Sequence, residues 1–566
     1  MTNSHALTIY KASAGSGKTF TLSVEYIKLL ILNPQSYRST LAVTFTNKAT
    51  EEMKLRILSQ LYGIWKLLPD SQGYIDKIKA DLDVSEEFMS ERAGIALHNI
   101  VHNYSYFRIE TIDSFFQSVL RNLARELDLT ANLRIELNDL QIERKAVDEL
   151  IDSLNENSEL LTWIMEYIRE NMDDDKNWNV ISQIKKFGQH IFREYYKTNS
   201  NILNERLLQE GFFKQYTSEL RQIRNEAEVE MQNEAAKFFD ILSQYNIDVD
   251  SLSYGKSGPA GYFIKMKNGI YDNTIVTKRV ENVLKNGGFA GWVKLDTPKK
   301  VKEMLSNVAS EMLSPLMAHA EKVRQEHWHD YGSAVLTLRH LNQLRLLNSI
   351  EKKVREMNVE QNLFLLSDTH TLLHSLIRDT DSPFIFEKIG NYLENIMIDE
   401  FQDTSTIQWQ NFKVLLEECM SHGEEQGNLI VGDVKQSIYR WRSGDWRMLN
   451  NIEREFPYMR SMLNVRSLDT NYRSSRRVIT FNNAFFERAA ELEYLEQKAE
   501  ASAECPANSP EQLKKAYADV AQQVPPFRKD QGFVSINLIP KDDYKQATLE
   551  KTAEAVSLLL DSGAAC

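Results

Sequence analysis

The sequence is poor in cysteine, with three in 566 residues, at Cys419, Cys505 and Cys566. That spacing fits neither a disulfide framework nor a zinc or iron–sulfur site, so a fold stapled by bridges or such metals is excluded. Long hydrophobic runs are also missing. No segment approaches the ~18–20 uncharged apolar residues that span a bilayer. The opening MTNSHALTIY lacks the basic stretch and apolar core of a secretory signal. Both absences set the expectation of a cytoplasmic protein with no membrane partner. Repeats and low-complexity tracts are absent, and the length leaves room for roughly four domains. Basic charge is in deficit, with a net charge of -13, which by itself speaks against nucleic acid. Binding needs only a local basic surface, however. Val434–Arg477 supplies one, with ten Lys or Arg against four Asp or Glu.

What is present is sharper. Ala12, Ser13, Ala14, Gly15, Ser16, Gly17, Lys18 and Thr19 read ASAGSGKT. This run follows an apolar segment, Leu7–Tyr10, that predicts a strand, and opens an amphipathic pattern over Phe20–Leu32 that predicts a helix. Strand, Gly-rich loop, Lys-Thr and helix in that order are what a phosphate-binding loop requires. Gly15 and Gly17 let the backbone wrap a phosphate, whose charge meets successive N–H groups and the positive end of the helix. Lys18 reaches the β- and γ-phosphates, and Thr19 offers its hydroxyl to Mg²⁺. Ala12 stands where the usual pattern begins with Gly, which marks a subtype. Gly255-Lys256-Ser257 also spells GKS, but Gly258-Pro259 follows, so no helix starts cleanly there and it reads as a loop.

Nucleotide hydrolysis needs a second acidic element. Ile396–Thr404 reads IMIDEFQDT and places Asp399-Glu400 at the end of a short apolar strand. There Asp399 can hold Mg²⁺ through its water shell, and Glu400 can orient and deprotonate the attacking water.

Apolar strands alternate with helices over the first ~115 residues: Thr40–Thr44, a helix over Ala49–Leu67, then Phe107–Thr111. From about Phe115 to Leu376 the chain is rich in Glu, Leu, Lys, Asn and Gln, with helical periodicity at Ile142–Leu154 and Glu219–Tyr245. Tyr254–Lys300 is its least regular part. Strands return at Asn395–Ile398 and Asn428–Val431, and short uninterrupted apolar strands suit a parallel sheet covered on both faces. Residues 497–526 read as loop and helix, Gly532–Ile539 alternates like a strand, and Leu549–Leu560 reads as helix.

These segments resemble, in order, the superfamily-one DNA helicases of the UvrD/Rep type. ASAGSGKT matches the first motif. Thr44–Ile57 (TFTNKATEEMKLRI) is similar to TFTNKAA-x-EM, and Ile109–Phe115 (IETIDSF) to T-x-H-S-F, with Asp113 where many members have His. IDEFQDT, Val431–Gly444 (VGDVKQSIYRWRSG) and Asp469–Ser474 (DTNYRS) match three further motifs. The variants look most like the RecB/AddA branch, motors of helicase–nuclease complexes that process DNA ends. The resemblance implies an α/β fold: a RecA-like P-loop lobe with a parallel sheet (residues 1–115 and 376–462), a mainly helical insertion (116–375) and the start of a second RecA-like lobe (463–566).

It also implies roles. Lys18, Asp399, Glu400, Gln436 and Arg473 would carry catalysis, with Gln436 and Arg473 on the γ-phosphate and Tyr472 stacked on adenine. Thr19 and Asp399 would hold Mg²⁺. Phe45, Thr46, Asn47, Lys48, Thr111 and Ser114 match positions that hold single-stranded DNA. Tyr439 and Trp441 look like base-stacking residues, and Arg442 like a partner of phosphate or of the acidic motif. The adenine-reading Gln that the family usually carries upstream of the phosphate loop has no counterpart in residues 1–11.

Nothing after Arg477 matches the later motifs, including the one that supplies a second arginine to the γ-phosphate, and no nuclease signature is evident. The chain therefore reads as the N-terminal half of a motor. Two functions stay open. One is an ATP-driven 3′-to-5′ DNA helicase or translocase for repair or recombination. Its partners would be single-stranded DNA or DNA ends, together with another member of a helicase–nuclease complex. The other is a truncated nucleotide- and DNA-binding module without turnover of its own. A small-molecule P-loop kinase is disfavoured by the DNA-type motifs around Phe45 and Trp441.

Overall fold

The computed structural model describes residues 6–123, 134–136, 138–154, 161–162, 164–165, 168, 180–207, 209, 211–289, 291–294, 297–379, 393–421, 427–500, 509–540 and 544–563. Cys505 and Cys566 lie outside these residues, and Cys419 is a buried free thiol. The chain forms two compact units, Met1–Asn132 with Ser367–Cys566, and Leu133–Leu366.

The strands are β1 (Leu7–Ala12), β2 (Thr40–Thr44), β3 (Ile109–Thr111), β4 (Arg134–Glu136), β5 (Leu363–Leu365), β6 (Asn395–Ile398), β7 (Asn428–Gly432) and β8 (Leu463–Leu468). The first unit is built on a six-stranded sheet of order β3-β2-β6-β7-β1-β8. Every pairing in it is parallel, and Ile9 lies opposite both Ile430 and Val465. Strands β2, β6 and β7 are buried along their whole length, which is why they read as unbroken apolar runs. Helix α1 (Lys18–Leu32) turns Leu22, Tyr26, Ile27 and Leu30 inward. With α2 (Asn47–Trp65), α3 (Gln72–Leu82) and α4 (Glu86–His102) it covers one apolar core. The fold is thus α/β with a RecA-like parallel sheet, and β6 and β7 rejoin the sheet begun by β1 although more than two hundred residues intervene.

Two segments differ from the pattern in the sequence. Leu463–Leu468 is hydrogen-bonded to β1 and extends the same sheet, where the sequence sets it at the start of the following lobe. Gly532–Ile539 alternates like a strand but belongs to none. Phe533, Ile536 and Leu538 are 84%, 69% and 94% exposed. Alternation encodes a face to bury, and among the described residues no neighbouring strand supplies this segment with a ladder.

The second unit is mainly helical. The helices Phe212–Gln244 and Ser314–Gln361 pack along each other, and β4 pairs with β5 in a two-stranded parallel sheet. Its core includes Phe238 stacked on Phe263 at 4.3 Å and the fully buried Trp292. The Gly255–Ser257 segment is a single 3-10 turn, and the next helix begins only after Pro259.

Candidate nucleotide site and nucleic-acid face

The site lies at the C-terminal ends of β1, β6 and β7. Gly15 and Gly17 have φ of 73° and 83°, a left-handed backbone that glycine adopts at least cost. Within the loop, Ser16 N–H donates to Ser13 O at 3.1 Å, and Ser13 N–H to Ser16 Oγ at 3.2 Å. Lys18 and Thr19 then open α1, so the free N–H groups of its first turn face the loop.

Lys18 Nζ donates to Glu400 Oε2 at 2.8 Å and to Gln436 Oε1 at 3.3 Å. A closed ring of contacts continues from there. Gln402 Nε2 donates to Glu400 Oε2 at 2.7 Å, Gln402 Oε1 accepts Asp433 N–H at 2.9 Å, and Gln436 Nε2 donates to Asp433 Oδ2 at 2.8 Å. The phosphate loop and the ends of β6 and β7 are thereby locked into one polar circuit. Gln402 is 1% exposed. A Cβ on Gly432 would fall 2.7 Å from Gln402 Oε1, so any side chain at that strand end would have to displace the buried Gln402 amide. Glu400 itself sits at φ 50°, ψ 43°, a left-handed backbone rare for a residue with a side chain and common at functional sites.

Asp399 is 6% exposed. Burial, then the negative charge of Glu400, pushes its carboxyl up to about 6, against the opposing charge of Lys18. Its Oδ1 accepts Glu400 N–H at 2.9 Å. Asp403 is raised to about 6 by burial and then by Glu400. Carboxylate and hydroxyl oxygens are the ligands hard divalent cations take; Asp399 directly follows β6 and Thr19 stands in the first turn of α1.

The turn Asn471–Arg473 closes over the loop. Tyr472 N–H donates to Gly15 O at 3.0 Å. Asn471 Oδ1 accepts the N–H groups of Arg473 and Ser474, both at 2.9 Å. Tyr472 is 53% exposed.

The residues expected on DNA form two groups. In the first, Phe45 packs on Tyr439 at 4.6 Å and Tyr439 lies 6.0 Å from Trp441. The Arg442 guanidinium lies 5.6 Å from the Phe45 ring and 5.2 Å from that of Trp441. Trp441 is 63% exposed, so it is a surface platform and not a core residue. Beside it Thr46 caps α2 through Ala49 N–H at 3.2 Å, followed by exposed Asn47 and Lys48. In the second, Thr111 Oγ1 accepts Ser114 N–H at 3.2 Å and donates to Ser114 Oγ at 2.8 Å. Part of the basic run is neutralised within the fold: Lys435 pairs with Asp433 and Asp519, Arg447 with Asp445 and Arg477 with Asp530.

Sequence reasoning missed several residues here. Gln402 and Asp433 stand inside motifs already matched, and their polar side chains beside buried strands were the available signal. His370 is different. Its Nε2 lies 2.9 Å from Asp113 Oδ1, across 257 positions, and Gln408 Nε2 donates to the same oxygen at 3.2 Å. Burial would raise the Asp113 carboxyl, but the His370 contact, with the charges of His370 and Arg442, holds it below its usual value.

A parallel α/β sheet with a phosphate loop, a strand-end acidic pair and a lysine bridging them defines a P-loop NTPase lobe. Residues 2–457 match the model of the UvrD/REP helicase N-terminal domain, and the chain belongs to that family. It is 23% identical to an ATP-dependent helicase/nuclease subunit of Listeria monocytogenes serotype 4b (strain F2365), over 87% of this chain and 39% of the relative. The protein of the same name from Lactococcus lactis subsp. cremoris (strain SK11) is 24% identical, over 87% of this chain and 40% of the relative. The RecBCD enzyme subunit RecB of Chlamydia trachomatis serovar D is 24% identical, over 84% and 42%. The chain thus spans about two fifths of the length of these relatives. Among the described residues no helix is long and apolar enough to cross a membrane.

Proposed function

We propose that this chain is the ATP-binding part of a cytoplasmic 3′-to-5′ DNA translocase that processes DNA ends in repair or recombination. Its partners would be single-stranded DNA and a second protein of a helicase–nuclease complex. The observation that carries this reading is Lys18 bonded at once to Glu400 and Gln436. The same ammonium that holds Glu400 is the one a β- or γ-phosphate would claim. Binding would then free Glu400, held by Gln402, to accept a proton from the attacking water. Mg²⁺, when bound on Thr19 and Asp399, would offset phosphate charge. Gln436 would change partner at the same moment, and it stands only a few residues before Tyr439 and Trp441. That short link would carry the state of the nucleotide to the stacking platform.

A second reading, a module that binds nucleotide and DNA without turning over, is favoured by one observation. The helix Tyr544–Asp561 has no buried residue, so it packs into no core among the described residues. Steady-state ATP hydrolysis with and without single-stranded DNA separates the two. It should be run on the 566-residue chain and on a polypeptide extended to the length of the relatives. The first reading, with the arginine of a second lobe contributing roughly 10³–10⁵-fold, expects strong DNA-stimulated turnover only in the longer one. Equal turnover in both would contradict an incomplete catalytic apparatus.

A further inference from the structure

The phosphate loop is held from outside by a side chain that belongs to none of the matched motifs. Gln522 lies 508 positions after Ala14, yet its Nε2 donates to Ala14 O at 2.7 Å. Its Oε1 accepts from Asn471 Nδ2 at 2.8 Å. The backbone of Gln522 is fixed in turn by one residue of the helix Arg476–Glu500. Gln522 N–H donates to Asn483 Oδ1 at 3.0 Å, and Asn483 Nδ2 donates to Gln522 O at 2.9 Å. The amide therefore has an anchored base and two directed contacts. Asn471, which it grips, is 3% exposed and spends its own Oδ1 on the N–H groups of Arg473 and Ser474.

The geometry points to Gln522 as a positioning residue for nucleotide binding: an amide bridge that holds Ala14 of the phosphate loop and the turn bearing Tyr472 and Arg473 in one arrangement before nucleotide arrives. The chemistry demands an amide. A donor must face the Ala14 carbonyl while an acceptor faces the Asn471 NH₂, and glutamine offers both where ionised glutamate offers acceptors only. The bridge sets the distance between the loop that wraps the phosphates and the turn that carries the adenine-facing and phosphate-facing side chains. Such preorganisation shows in affinity more than in any new contact with the ligand. The inference rests on the nucleotide reading above.

The test is titration of the 566-residue chain with Mg²⁺-ATP, with thermal unfolding as a check on folding. Gln522→Ala is expected to weaken binding about tenfold, equivalent to about 1.4 kcal/mol. Gln522→Glu is expected to weaken it at least as much, because a carboxylate oxygen would then oppose Ala14 O. Gln523→Ala is the control. That neighbouring side chain donates to Asp469 Oδ2 at 2.7 Å and is expected to leave affinity unchanged. Unchanged affinity in Gln522→Ala, or equal losses in the Gln522→Ala and Gln523→Ala variants, would overturn the bridge. Binding that survives Lys18→Ala in full would overturn the nucleotide reading itself. Lys18-dependent binding that ignores both Gln522 substitutions would remove the bridge alone.

Discussion

Lys18 Nζ and Glu400 Oε2 lie 2.8 Å apart across 382 positions of sequence. In this pairing the group expected to grip phosphate occupies the group expected to activate water. Glu400→Gln should remove the proton acceptor and release Lys18 together. Turnover by the extended polypeptide should fall ~10²–10⁴-fold, the range typical of a lost general base. Affinity for Mg²⁺-ATP should hold or rise. Rapid-quench kinetics beside a binding titration check this, and parallel losses in both would contradict it.

Asp399 sets a pH dependence. Its carboxyl is raised from 3.8 to about 6, so the folded apoprotein holds a proton that the unfolded chain releases earlier. That contribution to stability is present below about pH 4 and is lost as pH rises through about 6. Asp399→Asn should therefore stabilise the apoprotein at pH 8 by roughly 1–3 kcal/mol and much less at pH 4. Mg²⁺-ATP, which needs the carboxylate, should bind more tightly as pH rises from 5 to 7. Unfolding midpoints and titrations at those pH values test both signs.

Gly432→Ala would push a Cβ to within 2.7 Å of Gln402 Oε1 and of Leu449 Cδ2. Crowding in a packed interior costs typically ~1–3 kcal/mol. Here it would also loosen the Gln402 link between Glu400 and Asp433. Both the unfolding midpoint and hydrolysis should drop, whereas Gly73→Ala, at a helical site with open space, should lower neither.

The platform of Phe45, Tyr439 and Trp441 predicts stacking without sequence preference. Trp441→Ala should weaken single-stranded DNA binding by roughly 1–3 kcal/mol and leave its salt dependence intact. Arg442→Ala should also flatten the dependence on salt, because counterion release follows cationic contacts. Fluorescence anisotropy across a salt series distinguishes the two.

Much of this was legible in the sequence because it resides in residue identity and local order. A glycine-rich loop between strand and helix, or Asp-Glu after NIMI, declares itself without coordinates. Illegible were features fixed by backbone conformation and long-range placement. The left-handed Glu400 that aims its carboxylate at Lys18 has no sequence mark. Nor does His370, which meets Asp113 only after a whole intervening unit. Gly532–Ile539 shows the opposite failure: its alternation is genuine, but a strand also needs a hydrogen-bonding neighbour, which no pattern in the segment itself reveals.

The most direct measurement is a calorimetric titration of Mg²⁺-ATP into the 566-residue chain and its Lys18→Ala variant. One site built by Lys18, Asp399, Glu400 and Gln436 predicts stoichiometric binding by the parent chain. The ammonium's charge-assisted contacts, worth ~1.5–3 kcal/mol, predict at least a tenfold loss in the variant. Equal affinity in the two, or binding to neither, would contradict the account.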